Sequence, residues 1–295
     1  MSLYVGLDLG ASARTANSGL CVLRFDRGAL RPAADACESC AVFPLDPSDP
    51  LHALLPRLPG GESLFIAIDA PLAAPKDSSG HLTRPVERLF SRGDFARLHV
   101  NPISTRLLHR TAEAGALLAR QLENKGLVLT RIAKRRRPAR NHPGQAVIEP
   151  GRVSEVFPTL CIALLLCKET VLEAADMSRA QSKIVRLLSC AGDAHSWLSP
   201  KLGCEVRPCP SENPHQQAAW ACAVMAYMSS RGGLHDAVGE PGESAFLLPA
   251  FRLWQPAWQQ EFRRAWSSKI PALSHLTASF LKSRPQGPRL QRIAL

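Results

Sequence analysis

Two apolar segments that each run into an aspartate constrain the fold of this chain more than any other feature. Residues 3–9 read LYVGLDL and residues 63–70 read SLFIAIDA. Both have the length and the unbroken apolar character of a buried strand. A glycine follows the first segment and a proline follows the second, and both residues interrupt strands. We therefore expect Asp8 and Asp69 to lie where two buried strands end.

The two aspartates together predict one polar site. A carboxylate on a buried strand is destabilising unless it is paired or binds a cation. In open α/β sheets, ligands bind outside the carboxyl ends of the strands. Either aspartate alone is typical of a residue that caps the following turn. The presence of both favours a shared site on a parallel pair of strands that carries Asp8 and Asp69.

The rest of the chain predicts a mixture of strands and helices. The second and third predicted strands would form an antiparallel meander with the first. Asn213 and Pro214 are a typical N-cap and first residue of the strongest late helix. The further elements are expected as strands at 19–25, 37–43 and 146–156, and as helices at 49–58, 105–125, 160–168, 183–190 and 214–228.

The composition along the chain predicts one domain with two additions. Residues 1–232 carry the strands and helices of the domain, and residues 72–145 interrupt it as an insertion that begins with a polar, irregular stretch. Residues 233–295 are basic and rich in tryptophan, and we expect a helical C-terminal extension. The aromatic residues there have helical spacing, which favours packing against the domain over stacking on bases; a partner-binding role for this extension stays open.

Two further residues are candidates for the same site. Glu155 lies in the segment VSEVFP, flanked by apolar residues at a break between a strand and a helix. It is equally typical of a surface residue on an edge strand. His215 lies in the first turn of the late helix, where the helix dipole favours anionic ligands. A histidine at a helix start is also common as an ordinary polar surface residue.

The net charge indicates a polyanionic partner. The chain carries a formal charge of +11, and nucleic acid is the usual partner of so basic a protein. Residues 131–140 hold six positive charges and no negative one, a pattern that is also typical of a solvated loop. The candidate contacts to phosphates are Arg84, Arg88, Arg92, Lys134, Arg135, Arg136, Arg137 and Arg140.

The cysteines and the hydropathy favour a cytoplasmic protein. The nine cysteines are an odd number and include one CxxC motif, Cys37 to Cys40. Structural zinc would need a second ligand pair, for which Cys204 and Cys209 have poor spacing, so we expect reduced thiols. The apolar runs are too short for a membrane helix, and the N-terminal run contains an aspartate and lacks the basic start of a signal peptide.

Four motifs, in this order, resemble a known family. They are GLDLG, IAIDAPL, SEVFPTL and HQQAAWACAVMAYMSSRG, within residues 3–232. The chain resembles the bacterial DUF429 family of predicted ribonuclease-H-like nucleases and, more distantly, Holliday-junction resolvases of the RuvC type. The resemblance implies an α/β fold with a ribonuclease-H-like mixed sheet and helices on both faces. It also implies an acidic cluster for one or two Mg²⁺ or Mn²⁺ ions, with Asp8 and Asp69 as ligands and Glu155 nearby.

The late helix departs from the family pattern. That pattern resembles an aspartate or histidine followed, three residues later, by an aspartate; here the two positions hold His215 and Ala218. His215 can supply a nitrogen ligand, and Glu212, one turn earlier, is a partial substitute for the missing carboxylate. The expected ligand set for the metal ions is therefore Asp8, Asp69, His215, Glu155 and Glu212.

These observations predict a metal-dependent nuclease that hydrolyses phosphodiester bonds in DNA or RNA. One alternative is a catalytically degenerate protein of the same fold that binds nucleic acid or assists assembly, since Ala218 cannot bind metal. A second is an actin-like ATPase, which shares the strand order. Pro71 argues against it, because proline lacks the amide donor of a phosphate loop. A protein partner or a homodimer is also compatible with the sequence.

Overall fold

The structure is a computed structural model. It describes residues 2–10, 12–33, 39–58, 63–73, 84–98, 106–133, 148–176, 194–240, 242, 244–267 and 276–280. The helix predicted at 183–190 lies outside these residues, as does most of the basic run at 131–140.

The described residues form twelve strands, which alternate with helices in the second half of the chain. They are β1 (Ser2–Asp8), β2 (Ser18–Asp26), β3 (Ala29–Pro32), β4 (Cys40–Phe43), β5 (Ser63–Asp69), β6 (Arg131–Ile132), β7 (Ile148–Glu149), β8 (Val153–Val156), β9 (Glu205–Val206), β10 (His235–Gly239), β11 (Phe246–Pro249) and β12 (Thr277–Ala278).

The helices are α1 (Pro50–Leu54), α2 (Pro85–Phe90), α3 (Arg106–Asn124), α4 (Pro158–Leu165), α5 (Lys168–Asp176), α6 (Ala194–Leu202), α7 (Pro214–Ser230) and α8 (Pro256–Ser267). Three short 3₁₀ turns complete the described elements, at Leu55–Arg57, Gly93–Leu98 and Phe251–Leu253. No helix in this part of the chain is both long enough and apolar enough to cross a membrane.

Within the described residues, ten strands form one mixed sheet with β1 near its centre. The order is β12-β10-β11-β8-β5-β1-β2-β3-β9, and β4 pairs with β2 beside β3. β1 is antiparallel to β2 and parallel to β5, and β5 is parallel to β8. This mixed sheet with helices on both faces confirms the ribonuclease-H-like α/β fold that the sequence predicts.

The antiparallel meander is confirmed, with one strand more than the sequence predicts. The third predicted strand is β4, which pairs with the first half of β2. The second half of β2 instead pairs with β3, through a tight turn at Arg27 and Gly28. Both turn residues have positive φ, the geometry of the turns that join twisted antiparallel strands. The sequence does not predict a turn with this geometry, because Arg27 is not a glycine and other residues rarely take a positive φ.

Alternating side chains of the central strands divide the core between the two faces. On one face, which we call the α7 side, Tyr4, Ala67 and Val156 pack with helices α4 and α7. On the other face, the α3 side, Val5 and Ile66 pack with helices α1 and α3. The inward residues follow the period of two that a strand imposes. Because Ala114, Leu118 and Leu122 of α3 are buried in this part of the core, at least this part of the predicted insertion at 72–145 belongs to the core of the domain.

The C-terminal region differs from the helical extension that the sequence predicts. β10 and β11 join the main sheet, and β11 runs parallel to β8. The helical prediction fails for these strands because each is only four or five residues long, too short to show a clear period. The tryptophan-rich helix α8 does pack on the domain as predicted. Its residues Trp258, Phe262 and Trp266 are all buried.

Helix α7 lies unusually close to the sheet because two strand positions carry no side chain. A Cβ atom on Gly6 would lie 1.8 Å from the carbonyl oxygen of Ala219 and 2.3 Å from the amide nitrogen of Ala223. A Cβ atom on Gly19 would lie 2.0 Å from the carbonyl oxygen of His215. These atoms belong to the helix backbone, so a larger residue at either glycine would have to push α7 away from β1 and β2.

We predict that Gly6→Ala lowers the free energy of unfolding by about 2 kcal/mol or more, because the added methyl group overlaps backbone atoms that cannot rotate away. Urea denaturation followed by circular dichroism measures this change. Gly232→Ala is the matched control: a Cβ there meets nothing within 4 Å, so its effect should stay within about 1 kcal/mol. Equal stability of Gly6→Ala and the wild type would show that α7 does not pack at this distance.

Candidate functional site

Asp8 and Asp69 are the last residues of adjacent parallel strands and stand directly opposite each other. The register of β1 and β5 pairs Asp8 with Asp69. Both side chains belong to the α7 side, because they are two residues beyond Gly6 and Ala67 on strands that alternate. The parallel register therefore brings the two carboxylates together at the carboxyl edge of the sheet, as the sequence predicts.

Helix α7 adds His215 to this pair of aspartates. The side chain of Asn213 caps the helix by accepting hydrogen bonds from the amides of His215 and Gln216. His215 thus lies in the first turn, and its Nδ1 atom is 2.7 Å from Oδ2 of Asp8. Gly19 is the register partner of Asp8 on β2, and its missing side chain gives the backbone of His215 room there. The contact therefore depends on the close packing of α7.

The electrostatics of the site favour a bound positive charge. Burial raises the pKa of the Asp8 carboxyl above its usual 3.8, although the hydrogen bond and charge of His215 oppose the shift. The pKa of Asp69 is raised well above 3.8 by burial, then by the charges of Asp8 and Glu155. The charges that act most strongly on Asp69 are thus both negative. A cation between the two aspartates would relieve this repulsion.

Glu155 lies near Asp69, close enough for its charge to raise the pKa of that aspartate, but its side chain does not join the two aspartates. Glu155 is two residues after Val153, so it projects to the α3 side of the sheet, opposite Asp8 and Asp69. Its carboxylate is only 2% exposed. Oε2 accepts hydrogen bonds from the amide of Leu72 at 3.0 Å and from the guanidinium of Arg84 at 2.8 Å, and Oε1 also pairs with Arg84. Glu155 therefore has its charge and its lone pairs engaged by the protein.

Arg84 is an internal ion-pair residue and not an exposed contact for phosphate. Its side chain is 13% exposed, and besides Glu155 it binds Glu87, with Nε 2.8 Å from Oε1. The two buried carboxylates raise the pKa of Arg84 against the effect of desolvation. Sequence reasoning missed this role because residues 84 and 155 are distant in the chain. The only signal is a lone buried glutamate, which needs a cation from elsewhere.

Two residues of the late helix region do not complete a ligand set. Ala218 is buried against the sheet one turn after His215. Glu212 is exposed in the loop before the N-cap of α7, on the solvent side of the helix start. Below the aspartates, burial and then the charge of Asp69 raise the pKa of the Cys222 thiol, which is therefore neutral. The floor of the site is thus an uncharged core.

The basic residues fall into two groups. Arg88, on α2, is half-buried, and Arg92, just after α2, is exposed. Both follow Arg84, which anchors the start of α2 to the end of β8 near the site. The remaining candidates, Lys134, Arg135, Arg136, Arg137 and Arg140, lie outside the described residues.

The donor set fits a hard divalent cation bound in the manner of magnesium. In the part of the chain that the structure describes, no three His, Cys, Asp or Glu side chains converge into a complete metal cage. Mg²⁺ usually keeps several waters and binds through one or two carboxylates together with substrate phosphates. Asp8 and Asp69 supply such a pair of oxygen donors, and their mutual repulsion is the observation in favour of this fit.

We predict that the pKa of His215 lies above its usual 6.5 and that Asp8→Asn lowers it. The hydrogen bond to Asp8 is the main cause of the shift, burial opposes it, and the charge of Asp8 adds to it. While Asp8 is ionised, protonation of His215 therefore stabilises the fold fully below pH 6.5, and this contribution is lost as pH rises through the higher pKa of His215 in the folded state.

NMR titration of the histidine ring protons in metal-free protein measures this pKa. Asp26→Asn, at the opposite end of β2, is the matched control and should leave the titration of His215 unchanged. A wild-type value at or below 6.5, or one that Asp8→Asn does not lower, would contradict the contact.

Comparison with known proteins identifies the family. The model of the DUF429 family, described as a protein of unknown function, matches residues 6–243. No curated protein and no solved structure matches the chain. The matched region covers most of the 295 residues and extends from β1 to β10, so it includes Asp8, Asp69 and His215. The chain therefore belongs to the DUF429 family, as its motifs indicate.

Proposed function

We propose that this protein hydrolyses phosphodiester bonds in nucleic acid, with a divalent cation held by Asp8 and Asp69. One observation carries the proposal: two half-buried carboxylates end adjacent parallel strands in register, directly opposite each other, and repel each other. Carboxylate oxygens are the ligands that Mg²⁺ and Mn²⁺ take. When bound, such an ion activates water and offsets the charge that develops on the phosphate.

His215 orients Asp8 and can exchange a proton with the substrate. Its Nδ1 atom is engaged with Oδ2 of Asp8, which leaves Nε2 as the ring nitrogen for proton transfer. The side chain is 39% exposed, so a substrate phosphate can approach it. A pKa raised above 6.5 keeps part of the population protonated near neutral pH, which suits donation of a proton to a leaving oxygen.

Glu155 and Arg84 act as positioning residues in this proposal. Oε2 of Glu155 accepts a hydrogen bond from the amide of Leu72, three residues after Asp69. Arg84 holds the same carboxylate from the start of α2. Together they fix the chain that leaves β5, and therefore the position of Asp69 at the strand end. Glu155 is thereby removed from the ligand set, which leaves one cation site built on Asp8 and Asp69.

The charge of the chain supports nucleic acid as the substrate. A net charge of +11 attracts a polyanion, and contacts to the backbone phosphates position it without reading sequence. Arg92 is an exposed cation that follows α2. The acidic pair would otherwise repel a phosphate, so productive binding requires both the basic surface and the bound cation.

Two observations favour a second candidate, a nucleic-acid-binding protein without catalysis. Ala218 offers no carboxylate where the family pattern has one, and the carboxylate of Glu155 is engaged by Arg84. The site would then hold a cation too weakly, or in too open a shell, to activate water. Such a protein would bind nucleic acid in a salt-dependent way and leave it intact.

We predict that the wild-type protein cleaves labelled DNA or RNA in the presence of Mn²⁺ or Mg²⁺, and that Asp8→Asn and Asp69→Asn each reduce the rate by roughly 100-fold or more, as loss of a key charged group at a reacting centre does. Single-stranded and double-stranded forms of both nucleic acids are compared in one assay. Gel analysis after a fixed time gives the rates and the preferred substrate.

Asp26→Asn is the control variant, because Asp26 also ends a strand but lies at the opposite edge of the sheet, paired with Arg31. It should cleave like the wild type. An inert wild type that still binds nucleic acid in low salt would favour the non-catalytic candidate. Cleavage that persists in both site variants would identify a contaminating nuclease or a different site, and would refute the proposal.

A further inference from the structure

Three cysteine thiols lie together where strand β4 pairs with strand β2. Cys21 is on β2 and Cys40 is on β4, and their Sγ atoms are 3.2 Å apart. Cys209, in the loop between β9 and α7, is hydrogen-bonded to Cys40. The function proposed above uses none of these residues, and the inference drawn from them does not depend on it.

The register of β2 and β4 places Cys21 directly opposite Cys40. The amide of Val22 donates to the carbonyl of Ser39 at 2.8 Å, so residues 22 and 39 form a hydrogen-bonded pair. The next pair along an antiparallel ladder is then a non-hydrogen-bonded one, in which the Cα atoms and side chains are closest. Opposed cysteines at such a pair have Cα and Cβ separations within the range that a disulfide spans.

The three thiols differ in access to solvent. Cys21 is fully buried in the core, whereas Cys40 and Cys209 are half-buried at its margin. A small oxidant therefore reaches Cys40 first and Cys21 only through Cys40. This arrangement, with an accessible thiol beside a buried one that can condense with it, is the one that a reversible disulfide requires.

We propose that Cys21 and Cys40 form a disulfide when the protein is exposed to hydrogen peroxide. The Cys40 thiol reacts with one molecule of peroxide to give a sulfenic acid and one molecule of water. The Cys21 sulfur then attacks the Cys40 sulfur, forms the S–S bond and releases a second water. Two thiol hydrogens and two electrons thus pass to the peroxide, and a dithiol reductant reverses the change.

The oxidation is expected to be slow and to stabilise the sheet. The hydrogen bond from Cys209 favours the Cys40 thiolate, but the contact with Cys21 and burial prevail and raise the pKa of Cys40. Since the thiolate is the reactive form, excess peroxide is needed. The bond would close the chain between two strands of the meander, which restricts the unfolded state and should raise the urea midpoint.

Peptide mapping tests the proposal on the full chain. The protein is treated with excess hydrogen peroxide, free thiols are blocked with N-ethylmaleimide, and the unreduced chain is digested with trypsin. Cleavage after arginine yields residues 15–24, which contain Cys21, and residues 28–57, which contain Cys37 and Cys40. Mass spectrometry should find these two peptides joined, two hydrogens lighter than their sum, and separated by dithiothreitol.

Two variants identify the sulfur that reacts. Cys37→Ser is the matched control, because it lies in the same peptide, and the cross-link should persist. Cys40→Ser should abolish it. If Cys40→Ser does not fold, the peptide map of Cys37→Ser still identifies the cross-linked sulfur, because Cys40 is then the one cysteine left in residues 28–57.

Three results would overturn the proposal. The first is that 15–24 stays fully alkylated after oxidation. The second is that 28–57 is joined instead to residues 202–231, which contain Cys209. The third is that the purified protein carries one zinc ion per chain that blocks alkylation of Cys21 and Cys40, which would make the thiols a metal site.

Discussion

The close packing of helix α7 on the centre of the sheet is the constraint on which the candidate site depends. The helix backbone comes within contact distance of β1 and β2 only because Gly6 and Gly19 have no side chains. Gly19 is also the register partner of Asp8. The same approach that buries the apolar face of α7 therefore delivers His215 to the carboxylate of Asp8. The packing of α7 on the sheet therefore determines both the core on this face and the contact between His215 and Asp8.

The acidic residues near the carboxyl edge of the sheet, Glu155, Asp8 and Asp69, differ in the positively charged side chains that pair with them. Glu155, on the α3 side, pairs with Arg84, which it shares with Glu87, and accepts a hydrogen bond from a backbone amide. On the α7 side, His215 pairs with Asp8, whereas Asp69 is repelled by the charge of Asp8. A half-buried pair of carboxylates with too little positive charge nearby destabilises the fold and contributes nothing to stability by itself. This contrast is the physical argument for an external cation at Asp8 and Asp69 and not at Glu155.

The parts of the fold that the sequence predicts well are those with long, unambiguous patterns. The apolar strands β1 and β5 and the capped helix α7 have such patterns, and their ends place Asp8, Asp69 and His215. The signal for close packing was also present, because a glycine within a buried strand indicates an approaching backbone. The short strands β10 and β11 carry no clear period, so their place in the sheet emerges only from tertiary pairing.

The partnership of Glu155 with Arg84 could not be predicted from the sequence for a different reason. Its carboxylate is apolar-flanked like those of Asp8 and Asp69, so the local pattern is the same. What differs is the face of the sheet, and a shift of one residue in strand register reverses the face. The ion pair that neutralises it joins residues 71 positions apart. A site prediction from strand ends alone therefore overestimates the number of available ligands.

The most direct test of a cation centre at Asp8 and Asp69 is a titration of the metal-free protein with Mn²⁺, in which electron paramagnetic resonance measures the free ion. We predict one bound Mn²⁺ per chain, with affinity reduced at least about 10-fold by Asp69→Asn and little changed by Asp26→Asn, at the opposite end of β2 from the site. Absence of binding to the wild type, or equal binding by Asp69→Asn, would contradict a cation centre at Asp8 and Asp69.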